Sequence, residues 1–122
     1  MNVRLYDTDY NICNISIEKY ANNNNIAIQL YSDSEGYPEP FATLTVNLVP
    51  LNSDKLAYID ANNCPWAVDF IKEYNLGTPT GNMMGSGYCT YPEYEMNLEE
   101  LKKYEWNSSL LVCKSLASFC YL

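Results

Sequence analysis

Between residues 13 and 48 apolar and polar side chains change places at alternate positions, and a period of two marks strands with one face buried and one face wet. Cys13, Ile15 and Ile17 share one such face, and Ile26, Ile28 and Leu30 line the next after a turn at Asn22 to Asn25. From Phe41, Ala42, Leu44, Val46 and Leu48 oppose Thr43, Thr45 and Asn47. Asn2 to Tyr6 and Leu56 to Asp60 read as shorter strands. The loop DSEGYPEP, rich in turn formers, closes a hairpin between the third and fourth.

The second half changes period. Ala67, Phe70, Ile71 and Tyr74 recur at the helical spacing, with Asp69, Lys72 and Glu73 facing outward, in a helix opened by Asn63-Cys64-Pro65. Gly77 is expected to end it in a left-handed conformation, and Pro79 to prevent its resumption. The stretch GTPTGNMMGSG reads as a flexible connector, and Tyr88 to Glu95 as a last strand. Asn97 followed by Glu100 predicts a capped helix, with Met96 stapled against Leu101. These elements make an α+β fold: a single domain over residues 1–106, mainly an antiparallel sheet of about five strands with two or three helices. Residues 107–122 form an apolar tail. Its apolar side chains would cover most of a helical circumference, so it is expected to pack on the domain or at an interface. The tail is too short to span a bilayer, and the N-terminus has no signal-peptide pattern, so the expected location is the cytoplasm, with no membrane association.

Charge narrows the possible functions. The chain of 122 residues carries 15 Asp and Glu against 7 Lys and Arg, a formal −8, and no histidine. AT-rich codon usage accounts for abundant asparagine and tyrosine, but it would have raised lysine too, and only six lysines occur. The acid surplus argues against direct nucleic-acid binding and points to a protein partner with a basic surface. Without histidine the five cysteines (13, 64, 89, 113 and 120) lack the usual base for thiolate chemistry, and their scatter does not suit a zinc site. The glycine-rich stretch has no GK[ST] and is not a phosphate loop. Asp7, Asp9, Asn11 and Glu18 match the spacing of a calcium-binding loop, but Ile12 stands where that loop needs glycine, and the strand face continues through it. No catalytic, metal or cofactor-binding residue is expected.

Two acidic stretches with tyrosines remain as candidate partner-binding residues. The first is the hairpin loop with Asp33, Glu35, Tyr37 and Glu39. The second runs through Glu93, Tyr94, Glu95, Glu99, Glu100 and Glu105, with Tyr91 and Trp106 interleaved. Tyrosine and tryptophan give large contact area at low entropic cost, as at interface hot spots.

The runs FATLTVNL, NNCPWAVDFIKEYNLGTPTG and GSGYCTYPEYEMNLEELKKY resemble a bacterial family known as domain of unknown function 4313, found in small proteins of conjugative elements and phages. The resemblance covers roughly residues 26 to 104, with a departure expected after Tyr104, where the apolar tail begins. It implies a mobile-element context and brings no catalytic residues with it. Context and charge together suggest a non-enzymatic inhibitor of a host defence nuclease, of the anti-CRISPR kind, binding a Cas nuclease or its guide-loaded complex. The alternatives are a structural or regulatory accessory protein of conjugation that self-assembles through its tail, and a small carboxylate-dependent enzyme.

Overall fold

The computed structural model describes residues 1–105. Its elements in chain order are β1 (Asn2–Leu5), β2 (Thr8–Lys19), β3 (Ile26–Ser32), β4 (Glu39–Thr43), β5 (Thr45–Val46), β6 (Leu56–Ile59), α1 (Ala67–Glu73), β7 (Gly77–Ser86), β8 (Cys89–Met96) and α2 (Leu98–Lys102). One four-stranded sheet has the order β1-β2-β3-β4 and the other β5-β6-β8-β7. Every pairing is antiparallel. The α+β class, the single small domain and the antiparallel character agree with the sequence pattern; the strand count does not, since two four-stranded sheets replace the expected five or so strands. The expected apolar tail lies outside the described residues.

The count differs first at Leu44. Its side chain is fully buried, its N–H donates to the Ile28 carbonyl at 2.8 Å, and its own carbonyl accepts from the Asp60 N–H at 2.9 Å. One residue is thus hydrogen-bonded to β3 on one side and to Asp60, just past β6, on the other, and the strand expected from Phe41 to Leu48 divides there into β4 and β5. Past the division the inward position passes from Val46 to Thr45, which is buried. The Thr45 hydroxyl accepts from the Ile28 N–H at 3.2 Å and lies 3.1 Å from the Tyr20 hydroxyl, so its polar group is satisfied inside the protein. A bulge between Ile12 and Asn14 has a similar effect in β2. Ile12 and Ile15 are buried and Ile17 packs against the core as expected, whereas Cys13, expected on the same face, is half-buried and not part of the core. One extra residue in a strand reverses which parity faces inward.

The glycine-rich stretch is a strand, not a connector. β7 pairs with β8 along its length, broken only by a bulge between Pro79 and Met83 where Gly81 adopts φ 96°. β7 is the edge of its sheet, where proline is tolerated because an N–H facing away from the partner strand is not needed. Gly77 is therefore not the helix terminator. Asn75 holds the left-handed position (φ 57°), with the Asn75 N–H donating to the Lys72 carbonyl and the Leu76 N–H to that of Ile71. This is a Schellman end with Leu76 and Ile71 both buried beside it. Gly77 is needed for space: a Cβ there would stand 2.9 Å from the Glu95 carbonyl oxygen across the pair.

The core lies where α1 meets the sheets. Ala67, Phe70 and Ile71 are its buried face, as the helical spacing predicts, although the helix begins at Ala67 after a turn rather than at Pro65. The Asp60 carboxylate accepts from the backbone and side chain of Asn63 in that turn. The rings of Tyr10, Phe41, Trp66, Phe70 and Tyr74 follow one another at centroid separations of 5.0, 5.8, 5.7 and 5.1 Å. The Tyr74 hydroxyl then accepts from the Asn2 N–H at 2.8 Å, tying α1 to β1. At α2, Asn97 caps as expected by accepting from the Glu100 N–H at 3.3 Å. The Glu100 side chain pairs instead with Lys103 at 3.1 Å, and the Asn97 N–H donates to the Leu76 carbonyl. No described helix is long and apolar enough to cross a membrane.

Candidate interaction site

In an up-and-down sheet of four strands, the first and third connections lie at the same end. The β1–β2 turn and the β3–β4 loop are therefore neighbours here, and Asn11 joins them. Its side-chain amide donates to Asp33 at 2.9 Å, and its backbone N–H to the Ser34 hydroxyl at 3.3 Å. Leu5, Tyr10, Ser34, Glu35, Glu39 and Phe41 line a cavity of about 280 Å³ between the two connections. Tyr6, at the tip of the first, is 98% exposed and held at φ 55°. An L-residue other than Gly, Asn or Asp seldom adopts that conformation, so an aromatic ring is displayed to solvent at a conformational cost. Tyr37, on the second, is 60% exposed. Hydrogen bonding toward Glu39 first, and then the charges of Glu39 and Glu35, push its phenol above the ordinary value.

Among the described residues this end of the sheet gathers Asp7, Asp9, Asp33, Glu35 and Glu39 with one cation, Arg4, a formal −4 against the chain's −8. Arg4 is already engaged, its guanidinium 3.0 Å from both carboxylate oxygens of Asp9. Asp7 and Asp9, which matched calcium-loop spacing with Asn11 and Glu18, belong to a hairpin: Asp9, Asn11 and Glu18 lie in β2 and Asp7 in the turn before it. Among the described residues no group of three or more Cys, Asp or Glu side chains is placed to hold a metal ion.

The second acidic stretch is dispersed. Tyr94, expected as an exposed anchor, is 5% exposed and packed in the core, because β8 turns alternate residues to opposite faces. Glu93 and Glu95 do share the other face, yet Glu93 is buried: it accepts from the Asn82 amide at 3.1 Å and pairs across the sheet with Tyr58. Glu95 is exposed. Glu95 and Glu99 line a groove of about 550 Å³ together with Lys55 and Lys102, so negative charge there is interleaved with positive. Glu100 is paired with Lys103 and Glu105 is half-buried. No hydrogen bond or ion pair among the described residues links this stretch to the hairpin end. Tyr6, Asp7, Tyr10 and Phe41 join the site without having been candidates; the adjacency of first and third connections in a meander was the available signal.

The Tyr58 and Tyr94 hydroxyls make the protein sensitive to alkali. Burial first, and then the charge of Glu93 for Tyr58 and of Asp69 for Tyr94, raises both phenols. A phenol raised in the folded state adds stability that is complete below its unfolded value, about 10, and is lost as pH rises through the folded one. Urea midpoints are expected to hold up to about pH 10 and fall above it. In Tyr58→Phe the fall should be shallower; an unchanged slope would mean that Tyr58 ionises as freely as in the unfolded chain.

Fold and site define a small α+β protein of two antiparallel sheets, with an acidic, tyrosine-bearing hairpin end. The chain belongs to the family described as Domain of unknown function (DUF4313), which matches residues 14–116. The match extends beyond residues 26 to 104 at both ends and continues past Tyr104, so the expected departure from the family at that point does not hold. No curated protein and no solved structure matches the chain.

Proposed function

We propose that this protein is an acidic docking module of a mobile genetic element that inhibits a host defence nuclease, in the manner of an anti-CRISPR protein on a Cas effector. The observation that carries the reading is the hairpin end of the first sheet, where five carboxylates, one of them engaged by Arg4, stand on two neighbouring connections with two exposed tyrosines. CRISPR effectors hold their heteroduplex in a positively charged channel and read a short duplex motif with arginines. A rigid surface of carboxylates offers such a channel the charge of phosphates, while Tyr6 and Tyr37 supply short-range contact. The groove beside α2 is less suited to this role, since Lys55 and Lys102 would meet the partner's own cations.

The test is cleavage of a matched DNA duplex by guide-loaded Cas nucleases at increasing concentrations of the protein. The wild type is expected to inhibit at least one of them, and Glu35→Lys with Glu39→Lys to raise the half-inhibitory concentration by at least about tenfold. Glu99→Lys, on α2, should leave it within about twofold. Full inhibition by the double reversal would overturn charge mimicry, and no inhibition by the wild type would overturn the nuclease reading.

A further inference from the structure

We propose that the cavity between the β1–β2 turn and the β3–β4 loop is a socket for one arginine side chain of the partner protein, a deepening that rests on the docking reading above. At about 280 Å³ it lies below the usual range of small-molecule sites, roughly 300–1,000 Å³. It has the room for a single long side chain. Its lining divides by chemistry. Glu35 and Glu39 contribute carboxylates, and Leu5, Pro40, Tyr10 and Phe41 contribute apolar and aromatic surface.

Such a division fits an occupant with an apolar stem and a cationic head. The two basic side chains differ in how they satisfy it. A guanidinium is planar and weakly hydrated, lies flat on aromatic faces, and directs donors from a rigid fork to more than one carboxylate. An ammonium is a compact, strongly hydrated point charge, and it gives up more hydration on entering beside rings. The Tyr10 and Phe41 rings stand 5.0 Å apart at 45°, which supplies the aromatic surface. The Ser32 and Ser34 hydroxyls, 2.9 Å apart, hold the start of the loop closed on itself. The start of the loop that carries Glu35 is therefore fixed before a partner arrives.

The socket predicts discrimination between cations of equal charge. Blocked tetra-arginine and tetra-lysine peptides would be titrated into the full-length protein, following backbone and aromatic resonances by nuclear magnetic resonance. Tetra-arginine is expected to bind about tenfold more tightly, with shifts centred on Tyr10, Glu35, Glu39 and Phe41. Glu39→Gln, a change at the first residue of β4, should weaken the arginine peptide several-fold and narrow the difference between the two. Equal affinity for both peptides, or shifts centred on the groove of Glu95 and Glu99, would overturn the socket. A tenfold preference in a protein that inhibits no nuclease would keep the socket and remove the nuclease reading; inhibition without a preference would do the reverse.

Discussion

Leu44→Ala is expected to lower the unfolding free energy by about 3–5 kcal/mol, against about 1 kcal/mol or less for Leu48→Ala. In the alternating pattern of the sequence the two leucines are equivalent, four residues apart on one face. In the structure Leu44 is fully buried and Leu48 half-buried. Leu44 also stands at the point where the chain leaves the first sheet for the second, its amide bonded to β3 and its carbonyl to Asp60 beyond β6. Truncation keeps those backbone bonds and removes side-chain volume from the cluster shared with Ile28, Ile59 and Phe70. Neighbours attached to two differently directed sheets cannot both move in, so the loss falls towards the upper part of the range for leucine truncations. For a domain of this size, holding about 5–15 kcal/mol in all, urea unfolding resolves the difference easily. Equal effects of the two truncations would mean that the strand runs unbroken through Leu44.

Features written in adjacent residues were readable beforehand. The buried face of α1, Ala67, Phe70 and Ile71, follows from helical spacing, and the Asn97 cap from the residue type before an apolar turn. What depends on pairing was not. β7 contains three of the chain's five glycines and a proline, a composition that says turn or linker; only the partner strand β8 makes it a strand. The inward parity of β2 and β5 changed at a bulge and at a division between sheets, and neither leaves a mark in the alternation. The site divides along the same line. The Asp33 to Glu39 loop was legible from its carboxylates and turn formers, but its union with Tyr6 and Asp7 is a consequence of strand order. For Tyr94 the signal was present and overlooked: if Glu93 and Glu95 share a face, Tyr94 has to occupy the opposite one.

The asparagines, which codon usage seemed sufficient to explain, supply the other large expected effect. Asn25 is 5% exposed, and its side-chain amide donates to the Val49 carbonyl at 2.9 Å and to the Asn47 side chain at 3.3 Å while accepting from the Leu51 N–H at 2.9 Å. Asn23 accepts from the Asn25 N–H and donates to Asn47, and Asn47 donates in turn to Asn22. This network fastens the β2–β3 turn to the chain running from β5 to β6, a segment with no strand partner of its own. Asn25→Ala strands the Leu51 N–H and the Val49 carbonyl, so it should cost about 2–4 kcal/mol by urea unfolding at neutral pH. Asn25→Asp separates lost bonds from lost volume. Its carboxylate would face the Val49 carbonyl and the Asn47 side-chain oxygen with no proton to give, which favours the protonated form and raises its folded pKa above the unfolded value of about 3.9. Stability from a raised group is present below the unfolded value and lost as pH rises through the folded one. Relative to the wild type, Asn25→Asp should thus be least stable at neutral pH and recover as pH falls towards about 4, where a carboxyl O–H again donates to a carbonyl. Asn25→Ala should show no such recovery, and parallel pH profiles for the two variants would mean that the turn is held by shape rather than by these hydrogen bonds.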